Sequence, residues 1–303
     1  MKQPGTGVMS VREAAEFVGI KLIADGEFET LGFLTDNLPQ MLTFVEDRRF
    51  LTRFASHASA CAVMTTAELV STQRPRGGVL LSANPRKDFA RLHNFLAAHT
   101  EFYRSPAPSR IDASARIHPR AQVAENNVLI GPEVVIEANA LIDAGCTLER
   151  GVLVRSGAIL GAVGFQTVRD HDEYIEMMHA GSVVVEEGAH ILSHATIARG
   201  LFRQSTRIGR SARIGNNAFI SHNVEIGALA FVGHGAVLNG NTCIGRRAWI
   251  GPGAVLANSV RVGDNAQVSL GAVVIRDVGA SEQVSGNFAV AHQKLLRHTA
   301  GLG

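Results

Sequence analysis

A histidine titrates near neutrality and can take a proton from an attacking group, while a glycine N–H, unobstructed by a side chain, can meet a developing oxyanion. His222, in the run ISHNVEIG, and Gly240, in VLNGN, carry these two capacities eighteen residues apart, and Asn258 follows after another eighteen. Taken singly, His222 also reads as an exposed polar residue and Gly240 as a turn former. What joins them must be the element that repeats every eighteen residues.

Other chemistry along the chain has a plain alternative. Asp170, His171, Asp172 and Glu173 can receive an ammonium group or form a solvated loop. Arg199, Arg203, Arg207, Arg210 and Arg213 fall in a window free of acids from Gly188 to Val224. Such a run suits the phosphates of coenzyme A or an acidic carrier protein, or a solvated face. His190 and His194 have no third histidine at a recognisable spacing, and Cys61, Cys146 and Cys243 have no CxxC spacing, so neither zinc nor a disulfide framework is expected. No GxGxxG follows a strand, which excludes a Rossmann phosphate loop.

The repeating element is a period of six. From Ile208 an aliphatic residue stands at every sixth position through Ile214, Ile220, Ile226, Val232 and onward to Val274, twelve in succession. The next position is glycine in seven of the twelve hexads, which permits a tight corner. Ordinary strands with turns would alternate and space irregularly. Three hexads make one coil of eighteen residues, and coils stacked about 4.8 Å apart pair their backbones. His222, Gly240 and Asn258 then form one outward column. The period reaches upstream to Ile111 and is interrupted at residues 162–182 and 198–207, where insertions should project from one face.

Residues 1–105 lack the period and read as mixed α/β. Ser10 and Glu13 form a capping box, Asn84-Pro85 opens a second helix with Phe89, Leu92, Phe95 and Leu96 on one side, and CAVMTT and GVLLSA resemble strands. The expected organisation is an α/β unit over 1–105, a β-helix over 106–287 and a short helical tail over 288–303. A net charge of +2 gives no footprint for nucleic acid. Neither a signal sequence nor a run of eighteen apolar residues is visible, so a cytoplasmic location without a membrane span is expected.

The hexads resemble those of left-handed β-helix acyltransferases, and the stretches ADGEFETLGF, MLTFVEDRRF, AVMTTAEL, GAVGF and ISHNVEIG resemble, over nearly the full chain, the UDP-3-O-acylglucosamine N-acyltransferase family of lipid A synthesis. The resemblance implies a mainly β fold: a left-handed parallel β-helix with a small N-terminal α/β domain and a short C-terminal helix. It implies His222 as catalytic base and Gly240 as oxyanion donor. Phe44 takes the place of the family's nucleotide-stacking aromatic, with Asp47, Phe165, Asn258 and Ser259 placed toward substrate. It further implies a homotrimer, in which His234 could approach a neighbour's site, and an acyl thioester of carrier protein or coenzyme A as co-substrate with no bound cofactor. The acceptor would be a nucleotide-linked amino sugar. The chain departs from the family at Asp47, where asparagine is usual, at Phe50, where tyrosine is, and at Ser259, where a second histidine associated with the acyl donor stands. A short-chain N-acetyltransferase acting on another nucleotide amino sugar and a non-catalytic β-helix scaffold stay open as alternatives.

Overall fold

The computed structural model describes residues 7–72 and 75–286; the helix expected over 288–303 lies outside them. From Arg110–Ile111 onward, short strands recur and pair in parallel with the strand one coil away. Phe219 pairs with Val237 and Val237 with Val255, while Ile220 pairs with Leu238 and Leu238 with Leu256. The strands make three parallel sheets of eight, eight and nine members. These are the faces of a three-sided prism: the first carries Phe219–Ile220, the second Glu225–Ile226 and the third Phe231–Val232.

Within each short strand the second residue points inward, so the aliphatics of the period are buried in one continuous core from Val128 to Val278, with alanines such as Ala218, Ala236 and Ala254 filling the corners. Their neighbours, Phe219 and Glu225 among them, face outward. The glycines that follow the aliphatics have a different reason than the one expected. The left-handed conformation falls elsewhere, at Asn217, Asn223, Leu229, Gly235, Asn241, Arg247, Gly253, Ser259, Asn265 and Gly271, again one in six. Gly209, Gly227 and Gly245 are small because the next coil passes against them: a Cβ on Gly245 would stand 2.5 Å from backbone atoms of Gly263 and Asp264. Close approach, not tight turning, excludes side chains there.

The N-terminal unit is a five-stranded sheet in the order Lys21–Ala24, Gly78–Leu81, Ala60–Thr65, Met41–Val45, Thr30–Leu31, with the first pair antiparallel and the rest parallel. Four helices accompany it: α1 (Val11–Val18), α2 (Arg48–Ser56), α3 (Ala67–Thr72) and α4 (Pro85–His99). The Ser10/Glu13 capping box forms in full, and Asn84 caps α4 with Pro85 in the first turn. Phe89, Leu92 and Leu96 of α4 are buried, as their spacing predicts.

Both interruptions of the period leave the prism at one corner, between the first and second faces. Residues 162–182 follow strand Ile159–Ala162 and form a hairpin of Thr167–Asp170 against Glu173–Glu176. Residues 199–204 follow Thr196–Ala198, one coil further on. Each docks on the N-terminal unit. Lys87 of α4 forms an ion pair with Asp170, and Leu201 and Phe202 enter the aromatic cluster of Phe33 and Phe89, with Phe202 5.1 Å from Phe33. Asp170 is therefore mostly buried in a structural ion pair, whereas His171 beside it is exposed.

Two kinds of glycine separate in a denaturant titration. Gly253→Ala meets nothing within 4 Å and loses only the ease of a φ of +68°, about 1–2 kcal/mol. Gly245→Ala forces one coil away from the next and lowers the unfolding midpoint further; equal midpoints would contradict close approach as the cause.

Candidate active site

His222 occupies the corner after Phe219–Ile220, one coil above the 199–204 insertion and two above the hairpin. The Cε1–Nε2 edge of its half-buried ring lies against the next coil. A Cβ built on Gly240 would be 2.7 Å from both atoms, so any side chain there would displace this imidazole. The register continues as expected: Asn241 N–H donates to His222 O at 3.1 Å, and Ser259 N–H donates to Gly240 O at 2.9 Å.

Some corner N–H groups are capped by a side chain one coil on. The Asn216 N–H donates to His234 Nδ1 at 2.8 Å, and the Arg246 N–H to Asp264 Oδ1 at 2.7 Å. Asn258 stands in the equivalent place for Gly240 but makes no such bond among the described residues, which leaves the Gly240 N–H beside His222 open to a ligand. The corner itself is rigid. Asn223 donates through Nδ2 to Asn241 Oδ1 at 3.0 Å, accepts from the Leu201 N–H at 3.1 Å, and its own N–H donates to Thr206 Oγ1 at 2.9 Å.

A residue that the period could not place completes this corner. His179, from the end of the hairpin insertion, packs T-shaped on His222 with ring centroids 5.4 Å apart. It is 6% exposed, and neither of its nitrogens, nor Nδ1 of His222, has a hydrogen-bond partner among the described residues. Burial pushes His179 down to about 4, helped by the neighbouring charge of His222, and burial also lowers His222. Burial thus favours the neutral form of both rings. The signal for His179 in sequence is only a histidine inside an interruption, with no register to say where it lands.

His179 lines a cavity of about 410 Å³ together with Asp143, Phe165, Thr167, Met178 and Arg199. Phe165 is 86% exposed at its rim. Arg199 is tied to the Asp143 carboxylate and donates through Nε to Gly161 O at 2.8 Å. The acid-free arginine run is thus dispersed. Arg203 reaches Phe102 O, Arg207 pairs with Glu186, and Arg213 donates to Gly188 O and Ser211 O.

The remaining sequence-predicted residues divide by location. Asn258 and Ser259 are exposed one coil above Gly240, Ser259 with φ +63°. His234 lies on another corner, between the third and first faces, where its Nδ1 caps Asn216. Phe44 lines a separate cavity of about 490 Å³ in the N-terminal unit with Phe33, Glu46, Asp47, Arg49 and Arg86. The Arg86 guanidinium stands 5.5 Å over the Phe44 ring and donates through Nε to Glu46 at 3.1 Å. Asp47 is the N-cap of α2, and hydrogen bonds from Arg49 hold its carboxyl down at about 2. Phe44 touches Phe89, which touches Phe202, so a path of rings connects this cavity to the His222 corner. Among the described residues no group of three or more His, Cys, Asp or Glu side chains is placed to hold a metal, and no helix is long and apolar enough to cross a membrane.

Stacked hexads and this corner define a hexapeptide-repeat acyltransferase with a left-handed β-helix. Residues 205–240 match the family described as bacterial transferase hexapeptide (six repeats). The UDP-3-O-acylglucosamine N-acyltransferase of Coxiella burnetii is 31% identical over 245 residues, covering 72% of this chain and 70% of that protein. The enzyme of the same name from Herminiimonas arsenicoxydans is 26% identical over 255 residues, 73% of this chain and 71% of its own. Among solved structures, a UDP-N-acetylglucosamine acyltransferase from Bacteroides fragilis aligns with 63% of this chain and 78% of its own at 21% identity and a TM-score of 0.46. The chain belongs to the UDP-3-O-acylglucosamine N-acyltransferase family.

Acid should weaken this fold. His93 of α4 and His179 both sit near 4 against an ordinary 6.5, because burial disfavours their charged forms. The unfolded chain therefore binds more protons between those values, and stability present above pH about 6.5 is lost as pH falls toward about 4. Urea unfolding at pH 7 and pH 5 checks the sign, and His179→Phe should reduce the difference.

Proposed function

We propose that this acyltransferase moves an acyl group from a thioester, carried by acyl carrier protein or coenzyme A, to the amino group of a UDP-3-O-acylglucosamine-like nucleotide sugar. The observation that carries the reading is the His222–Gly240 pair: a neutral imidazole edge pressed against a glycine whose N–H has no protein partner among the described residues.

The chemistry follows from that pair. The sugar amine must be neutral to attack the thioester carbonyl, and Nε2 of His222 accepts its proton as the C–N bond forms. The carbonyl oxygen becomes an oxyanion that accepts from the Gly240 N–H. As the intermediate collapses the C–S bond breaks, and His222 returns the proton to the leaving thiolate. Burial supports this by keeping His222 unprotonated near neutral pH. The cavity at Phe44 would take a nucleotide base on that ring if the Arg86 guanidinium, which lies over it and pairs with Glu46, turned to a phosphate, and Phe165 stands at the rim of the cavity lined by His179.

A homotrimer is part of the proposal. Six of the eight outward residues of the first face, Leu141, Ile159, Phe219, Val237, Val255 and Val273, are apolar along the edge that carries His222, with Gln122 at its start and Thr196 between Ile159 and Phe219. A second copy laid on it would close the site, and sedimentation velocity reports the number of copies.

With UDP-3-O-acylglucosamine as acceptor and acyl carrier protein and coenzyme A thioesters compared as donors, His222→Ala should lose about 10²–10⁴-fold in kcat while the nucleotide sugar still binds. Unchanged turnover would favour a scaffold. Phe44→Ala should instead raise KM for the nucleotide sugar, by about tenfold or more if a base stacks there.

A further inference from the structure

A general base working through Nε2 must carry its proton on Nδ1, and its catalytic value depends on a partner that keeps the ring in that tautomer and plane. Nδ1 of His222 is buried and finds no acceptor among the described residues. The ring packed edge-to-face on it, 5.4 Å between centroids, belongs to His179, whose two nitrogens are also buried and unpartnered. A phenylalanine or leucine would fill the same space without leaving polar atoms unsatisfied.

The hold on His179 is extensive. Gly164 lies beneath its ring, with a Cβ there only 2.5 Å from Nε2, so the hairpin can approach only because residue 164 has no side chain. Helix α4 of the N-terminal unit grips the residues just before it. Asn94 donates to Glu176 O at 2.7 Å and accepts from the Met178 N–H at 2.9 Å, and His93 Nε2 donates to Met178 O at 2.6 Å. Thus the unit containing the Phe44 cavity sets the position of a ring that touches His222.

We propose that His179 is a positioning residue for His222: in the reacting complex a ring nitrogen of neutral His179 accepts the Nδ1–H of His222 and aims Nε2 at the attacking amine. This rests on His222 being the base. The charged and titratable groups around the pair are His93 from α4, Glu176 from the hairpin, Asp143 from the coils and Arg199 from the start of the second insertion. Arg199 has no acceptor to offer, and the Asp143 carboxylate is already bound by Arg199 and by the Ala144 N–H.

Full-length His179→Gln, His179→Phe and His179→Ala, with His222→Ala beside them, test this. Turnover is measured with UDP-3-O-acylglucosamine and an acyl carrier protein thioester across pH, and ¹⁵N-histidine NMR reports the His222 tautomer without any substrate. His179→Phe, which keeps the ring but has no acceptor, should lose about tenfold or more in kcat with KM unchanged, and its His222 resonances should show mixed tautomers. His179→Gln should recover part of the rate through its carbonyl. In His179→Ala, water reaching His222 should raise its pKa and move the acid limb of the profile upward. His179→Phe with wild-type kcat, pH profile and tautomer would overturn the inference while leaving the base intact. Activity surviving in His222→Ala would overturn the base itself. If His179→Ala fails to fold, the contrast between Gln and Phe decides.

Discussion

Everything in this molecule depends on coils stacking at the spacing of hydrogen-bonded strands, about 4.8 Å, with no drift in register. An aliphatic residue in each hexad satisfies the interior, and in seven of the twelve regular hexads a missing side chain at the following position lets the next coil come down against it. Ile220 lies on Leu238 and Leu238 on Leu256, and the price of that regularity is that a residue such as Gly245 has no room for a single methyl group. Regular stacking also carries geometry outward. A corner residue is held at a fixed height and angle relative to its counterparts above and below, which is how His222 meets Gly240.

The same regularity leaves a problem that the insertions answer. A prism of uniform coils exposes its corners to water, where a histidine is solvated and no pocket exists. Two insertions leave by the corner beneath His222 and return with Phe165, His179 and Phe202, and the N-terminal unit packs over them through α4 and a cluster of phenylalanine rings. Burial lowers both His222 and His179, and these segments cover the pair together with the coil that carries Gly240. Burial of that kind works against stability in acid and in favour of a neutral base at ordinary pH, so one physical effect serves the proposed chemistry at some cost to the fold.

Capping closes some corners of the prism and leaves others, the one at Gly240 among them, open. At Asn216 and Arg246 a side chain one coil away takes the corner N–H, which tightens the stack. At Gly240 the corresponding N–H is left for another molecule. His234 illustrates the difference: a histidine at the same kind of corner, used by the coil for its own backbone. Residue type alone does not distinguish the two, since both follow an aliphatic by two places.

From the sequence by itself, the period of six determined the coils, their eighteen-residue height and the column of His222, Gly240 and Asn258, because a strict repeat converts separation along the chain directly into position. It also determined that something must leave the coils at 162–182 and 198–207. What returned there was decided only in three dimensions. His179 lies inside an interruption where no register applies, and its contact with His222 depends on Gly164, on the hairpin and on Asn94 of a helix more than eighty residues away. The arginine run read as one patch was likewise separated by tertiary structure, since consecutive hexads face different sides of the prism and the guanidinium groups of Arg199, Arg203, Arg207 and Arg213 each found their own carboxylate or carbonyl. A repeat specifies positions on its own lattice; the groups brought to that lattice from outside are placed by packing, which has no period to read.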